Sequence, residues 1–158
     1  MNLHRRDLLL TTLAAGAAVP AWAHHGWSSF DQNRPLYLEG RVAEVRWRNP
    51  HAELLLELPE KLVLPADLPR RSLPAQQAGV DGPALLARTT LPRRAERRWE
   101  VELAPLFRLQ QWQMKEIVQG DPVAVVGFTF AEEKGAPLLR AEYVFHDGRV
   151  VGLRSGPA

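Results

Sequence analysis

Apolar and polar residues alternate with a period of two along several short stretches of the chain, a pattern that predicts β-strands. The first stretch begins at Leu36 with apolar residues at even positions, and then slips to the odd positions Val45 and Trp47. A slip of one residue within a strand is typical of a β-bulge, and Gly40 offers a point at which the strand can bend. This stretch therefore predicts one long, bent strand.

A second strand is predicted after Asn49-Pro50, which is a typical turn pair. The even positions of residues 52–58 are all apolar, whereas the odd positions, beginning with His51, are mostly polar. The two strands are therefore expected to form a hairpin that buries one face.

The later part of the chain predicts three more strands and one helix. Residues 99–103 alternate, and Pro105 opens an amphipathic helix that extends to about residue 118. Residues 123–130 and 138–146 complete the pattern, and Asp147-Gly148 forms a turn. Val125 and Tyr143 are expected to lie in the same core as the apolar residues of the first three strands. The order predicts a mainly β fold, a small five-stranded OB-like barrel with one helix between strands 3 and 4. A small open sheet crossed by one helix is the alternative.

Residues 59–96 interrupt this regular pattern with six prolines and several paired arginines. Residues 81–88 can form a short helix, because Pro83 stands where the first helical turn tolerates it. The insert as a whole is predicted to be a solvated surface insertion, although long inserts are often functional. Its arginines offer a possible contact surface for a protein partner.

Residues 1–23 have the three parts of a secretory signal peptide: a basic head, a short apolar run and small residues before a processing site. Ala21 and Ala23 fit the −3 and −1 positions, so the mature chain is expected to form one domain, residues 24–158. The paired Arg5-Arg6 favours twin-arginine export, although other secretory signals also carry basic pairs. We expect a periplasmic or secreted protein with no membrane span after processing.

The composition excludes several classes of function. The chain has no cysteine, which rules out disulfides and thiolate metal sites. Its formal net charge of +2 does not suggest a nucleic-acid partner. Glu100 and Glu102 alternate onto the outer face of a strand and are interpreted as solvated rather than catalytic. No pattern in the chain predicts a nucleophile triad, and an enzyme is not the favoured interpretation.

The histidines of the mature chain provide the candidate chemistry. Cleavage after residue 23 would give His24 a free α-amine beside its ring nitrogen, and together these two groups can chelate a metal ion. Nitrogen-rich sites without thiolates suit Cu(II), Ni(II) or Zn(II), and copper binds most tightly. The predicted ligands are His24, His25 and His51, with His146 as a weaker fourth. In the alternative interpretation, all four are ordinary terminal or strand-end residues.

Several motifs together resemble a family of small exported bacterial proteins classed as a domain of unknown function. They are His24-His25-Gly-Trp, Gly40-Arg-Val42, Asn49-Pro50-His51, Trp112 and Gly120-Asp121. The resemblance implies a β-rich periplasmic or secreted domain and supplies no activity. The insert at residues 59–96 departs from the pattern of the family.

Three functions remain open at this point. The first is a metal-binding carrier or sensor, and the second is a structural or partner-binding module that uses the arginine-rich insert. The third is an oxidative copper enzyme that holds its metal through the amino-terminal histidine.

Overall fold

The computed structural model describes residues 26–158, and strands dominate this part of the chain. The strands of this range are β1 (Leu36–Arg46), β2 (Glu53–Glu57), β3 (Arg98–Glu102), β4 (Pro122–Phe128), β5 (Leu138–His146) and β6 (Arg149–Gly152). Its α-helices are α1 (Gly82–Ala87) and α2 (Leu106–Gln111), and single 3₁₀ turns cover Trp27–Ser29, Leu68–Arg70 and Ala131–Glu133.

Five of these strands close into a barrel. β1 pairs antiparallel with both β2 and β4, β2 pairs with β3, and β4 pairs with β5. A parallel pairing between β3 and β5 completes the ring, and β6 extends β5 as a hairpin outside it. Because α2 lies between β3 and β4, the predicted small OB-like barrel is confirmed and the open sheet is not observed.

The barrel interior is filled by the residues that the alternation assigned to it. Leu54 and Leu56 of β2 are at most 1 % exposed, as are Trp99 and Val101 of β3. Val45 and Trp47 pack against the same cluster with part of their surface exposed. The predicted face assignment of the first hairpin is therefore correct.

The bend in β1 has two separate structural causes. The pairing with β2 shifts register between Val42 and Glu44, which leaves Ala43 as the extra residue of a β-bulge. Gly40 lies nearer the start of the strand, where a Cβ atom would sit 2.2 Å from the carbonyl oxygen of Glu57. The predicted bulge is confirmed, and Gly40 serves a different purpose: it lets two backbones approach closely.

A second apolar cluster lies on the outside of the barrel and contains part of the insert. Leu68, Leu85 and Leu86 are at most 3 % exposed and pack with residues of β1, β4 and β5. The short helix predicted at residues 81–88 is present as α1, with the Asp81 carboxylate accepting from the Ala84 amide at 3.0 Å. The expectation of a solvated insertion is therefore wrong for these leucines, which cover the barrel wall.

Tyr143 belongs to this outer cluster and not to the barrel interior, where the alternation of β5 had placed it. Val126 of β4 pairs with Tyr143, but the next residue, Gly127, pairs with Ala141. Glu142 is therefore the extra residue of a second bulge. Because a bulge shifts the alternation by one residue, Tyr143 turns to the opposite face of the strand.

The helix between β3 and β4 is shorter than the predicted span of residues 105–118. It ends at Gln111, and Gln113 adopts a left-handed conformation with φ of 49°. The Met114 amide then donates to the Leu109 carbonyl at 2.9 Å, which closes the helix end. None of the helices between residues 26 and 158 has the length and apolar character needed to cross a lipid bilayer.

β6 is an addition that the alternation did not predict. Asp147 and Gly148 both have positive φ, 51° and 71°, which is the backbone of a two-residue type I′ hairpin. The four residues of Arg149–Gly152 are too few to show a period of two. The Asp147-Gly148 pair could have predicted β6, since Asp-Gly is among the strongest sequence indications of a hairpin.

Candidate functional site

Two opposite charges are buried on the outside of the barrel, where β3 and β5 pair. Glu102 and Arg140 are direct partners in the parallel ladder. They are 7 % and 8 % exposed, and the Arg140 guanidinium donates to the Glu102 carboxylate. Glu102 is thus buried rather than solvated, contrary to the sequence interpretation. Burial of charges is tolerated only when they are paired, and such pairs often mark functional sites.

His51 joins this pair at the start of β2. The Ala52 amide donates to the Ala104 carbonyl at 3.1 Å, which fixes the chain so that His51 lies beside Glu102. The His51 Nδ1 atom lies 2.8 Å from Glu102 Oε1, and its Nε2 atom lies 3.5 Å from Arg140 Nη2. A carboxylate at Nδ1 holds the proton there and leaves a lone pair on Nε2, the arrangement found in metal-binding histidines.

Trp27 covers the same cluster from the amino-terminal side. Its ring centroid lies 3.7 Å from the guanidinium carbon of Arg154 and 5.0 Å from that of Arg140. Its edge also meets the ring of Phe128, with centroids 6.3 Å apart. Two arginines over one indole are a strong cation–π arrangement, so residue 27 is held on Arg140, which contacts both His51 and Glu102.

Arg154 is itself fixed by a fully buried carboxylate. The Arg154 Nε and Nη2 atoms lie 2.8 Å and 2.7 Å from Glu142 Oε2. The Glu142 side chain has no exposed surface and also accepts from Gln76 Nε2 at 3.2 Å. Glu142 reaches this position because it is the extra residue of the β5 bulge.

The buried guanidinium of Arg140 has charged neighbours of both signs. Burial lowers the pKa of Arg140, and the neighbouring Arg108 and Arg154 lower it further, while Glu102 opposes the change. Any cation that binds His51 must therefore rely on Glu102 to offset the guanidinium of Arg140.

His146 lies away from this cluster. Its Nε2 atom is 3.0 Å from Asp121 Oδ2, and its side chain is 8 % exposed. Backbone and side-chain hydrogen bonds, from Val118 and from His146, lower the pKa of Asp121. His146 ends β5, whereas Arg140 lies near the start of that strand, about 20 Å away at roughly 3.3 Å per residue. The structure therefore does not bring His51 and His146 together.

The other two predicted ligands, His24 and His25, lie outside the described residues. Within residues 26–158, no group of three or more histidine, aspartate or glutamate side chains is arranged to hold a metal ion. Of the two predicted ligands in the described range, His51 lies in the charged cluster that Trp27 covers. Trp27, Glu102, Arg140, Glu142 and Arg154 were missed, because alternation assigns a residue to a face without showing what covers that face.

The arginines of the insert bind mainly to their own chain. Glu133 is 8 % exposed, and its carboxylate accepts from the Arg93 and Arg94 amides at 3.0–3.1 Å and from the Arg34 side chain. Burial raises the pKa of Glu133, but these hydrogen bonds outweigh it, so the net pKa is lowered. Arg97 donates to the Leu58 carbonyl at 3.0 Å. The end of the insert is thus anchored to the barrel.

Comparison with known families agrees with the motif resemblance. Residues 12–62 match the sequence model of a family of unknown function, DUF6152. This range contains His24, His25 and His51, whereas His146 lies beyond it. The resemblance to a family without an assigned activity is confirmed for this part of the chain. No curated protein matches the sequence.

Proposed function

We propose that this protein is exported, is processed after Ala23, and then binds one copper(II) ion as a periplasmic or secreted carrier or sensor. The α-amine and ring nitrogen of His24 form the chelate, and His51 or His25 completes the set of nitrogen ligands. The observation that carries the proposal is the packing of Trp27 on Arg140, which contacts His51.

The amino terminus of the processed chain can reach His51. Two residues lie between His24 and Trp27, so an extended chain places their Cα atoms about 10 Å apart. The Arg140 guanidinium contacts both groups, with its carbon 5.0 Å from the centroid of the Trp27 ring and its Nη2 atom 3.5 Å from His51 Nε2. These contacts support a site in which the chelate of His24 and the ring of His51 share one metal ion.

His51 has the surroundings of a metal ligand. Its side chain is 17 % exposed, so its ring is shielded yet accessible from one side. Glu102 fixes the ring orientation and offsets the charge of Arg140, as a carboxylate behind a metal-binding histidine does. Copper would take the place of Arg140 at Nε2.

Copper is favoured because the proposed donors are amine and imidazole nitrogens. Such donors bind Cu(II) more tightly than Ni(II) or Zn(II), and the absence of cysteine excludes soft thiolate sites. Binding requires neutral imidazoles, so affinity should fall as the pH drops through the histidine range near about 6.5.

The processing step has its own test. Intact mass of the protein isolated from the periplasm or medium should correspond to a chain that begins at His24. A retained Met1, or any other first residue, would remove the amine chelate and contradict the proposal.

The copper site is tested by titration of the mature protein with His51→Ala and His146→Ala as a matched pair. We expect His51→Ala to weaken binding by about tenfold or more, since it removes a ligand. His146→Ala should leave binding unchanged, because His146 lies at the other end of β5. Equal effects of the two substitutions would contradict the assignment of His51.

The alternative, a partner-binding module that uses the arginine-rich insert, has less support. The side chain of Arg94 donates to the Glu133 carbonyl and to Glu96, that of Arg97 donates to the Leu58 carbonyl, and that of Arg71 pairs with Asp67. These guanidinium groups would have to give up contacts within the chain in order to bind a partner.

A further inference from the structure

Trp27 is held at two points, its ring and its backbone carbonyl. The ring stacks on Arg154 at 3.7 Å, and the carbonyl accepts from Gln32 Nε2 at 3.2 Å. The Gln32 Oε1 atom in turn accepts from Arg154 Nη1 at 2.9 Å. One arginine–glutamine pair therefore fixes both the position and the orientation of residue 27.

This pair is anchored in the barrel by Glu142. The Glu142 carboxylate is fully buried and binds two nitrogens of Arg154, while Gln76 holds its other oxygen. Fixing an arginine side chain costs rotamer entropy, and the buried carboxylate offsets that cost within the folded protein. Arg154 is thus in place before any ligand binds.

We infer that Trp27, Gln32, Glu142 and Arg154, which we name the Trp27 clamp, position the amino-terminal chelate of His24 beside His51. This inference rests on the copper site proposed above, and it makes Trp27 a positioning residue of that site. Ordering the backbone of each residue that is free before binding costs roughly tenfold in affinity. A clamp at residue 27 limits that cost to the residues that precede it.

Trp27 acts only through geometry, because its indole N–H is a donor and offers no lone pair to a metal. Its loss should therefore have the same consequence as the loss of His51: the His24 chelate no longer reaches the barrel. When two substitutions break the same link, the losses of binding free energy that they cause should not add.

The test is calorimetry and electron paramagnetic resonance of the Cu(II)-loaded mature protein. It compares the wild type with Trp27→Ala, His51→Ala and the double variant. We expect Trp27→Ala to weaken copper binding by about tenfold or more. Its spectrum should match that of His51→Ala, and the double variant should show no further loss.

Phe145→Ala is the matched control, because it removes an aromatic ring that lies 5.2 Å from the guanidinium carbon of Arg71, away from the clamp. It should leave copper affinity unchanged. Gln32→Glu provides a second test that keeps the indole, since it removes the donor to the Trp27 carbonyl and retains the acceptor for Arg154. It should weaken copper binding as well.

The outcomes separate the two proposals. Wild-type affinity in Trp27→Ala, or losses that add in the double variant, would overturn the clamp and leave the copper site intact. Wild-type affinity in Gln32→Glu would also overturn the clamp. A wild-type protein that binds no copper would overturn both.

Discussion

Gly40 shows how one missing side chain shapes the barrel at the scale of a single residue. A Cβ atom at this position would lie 2.2 Å from the Glu57 carbonyl oxygen and 3.2 Å from the Cα atom of Leu58. Both contacts are to backbone, so the strands themselves would have to separate. β1 can cross the end of β2 only because residue 40 has no side chain.

Gly40→Ala should therefore lower the free energy of unfolding by about 1–3 kcal/mol, the usual cost of forcing extra atoms into a packed site. Gly79→Ala is the control, because a Cβ at that position meets nothing within 4 Å. Denaturant titration of both variants measures the difference. Equal stability of the two variants would contradict the close approach of the strands.

Glu133 links the insert to the barrel through its charge, and its pKa lies below the ordinary value of 4.5. A lowered carboxylate pKa stabilises the fold above about pH 4.5, and this contribution is lost as the pH falls through the folded-state value. Glu133→Gln should cost about 1–3 kcal/mol at pH 7, since it weakens the hydrogen bonds of a buried charge.

The deficit of Glu133→Gln should shrink as the pH is lowered below 4.5, because the wild type then loses the same charge. Unfolding free energies across pH 3–7 measure this trend. Glu132→Gln is the control, since that side chain is 73 % exposed and pairs with the exposed Lys134. A deficit that stays constant with pH would contradict the role of the Glu133 charge.

Residue-level predictions from the sequence succeeded where alternation was regular and failed where it was interrupted. Leu54, Leu56 and Val101 are buried inside the barrel as expected. Tyr143 is not, because the bulge at Glu142 turns it outward. Glu102 has the expected outward direction, but its burial depends on a pairing with Arg140 that the sequence does not reveal.

At the scale of elements, the insert adds a second apolar layer to the barrel wall. Helix α1 places Leu85 and Leu86 against the outer cluster, and Leu68 joins them from a 3₁₀ turn. Prolines break this segment into pieces too short for periodicity, so its buried leucines could not be recognised from the sequence. Strand β6 was missed for the same reason, since its four residues are too few to show a period of two.

Leu86→Ala should destabilise the protein by about 2–5 kcal/mol, since Leu86 is 1 % exposed and its loss leaves a cavity. Val63→Ala is the control within the same insert, because Val63 is 59 % exposed. Its effect should stay within about 0.5 kcal/mol. Thermal or denaturant unfolding that shows no difference between the two would mean that the insert does not cover the barrel.

At the scale of the whole molecule, the order of elements favoured a barrel, since a long bent first strand and a helix after the third are typical of that topology. The choice against an open sheet came from the pairing of β3 with β5, which closes the ring. The site was only partly predictable. His51 was a candidate from its residue type, but its link to Trp27 runs through Arg140, which contacts both residues. Convergence of distant residues is a property of the fold and not of local pattern.

The central claim is that copper is bound by the α-amine and ring of His24 together with a histidine of the barrel. The most direct measurement compares, by calorimetry with Cu(II), the mature protein with a form that carries one added residue before His24. The added residue leaves every side chain in place and removes the amine-plus-ring chelate. We predict that it weakens binding by about tenfold or more, as much as His24→Ala does. Equal affinity of the mature and extended forms would contradict the account.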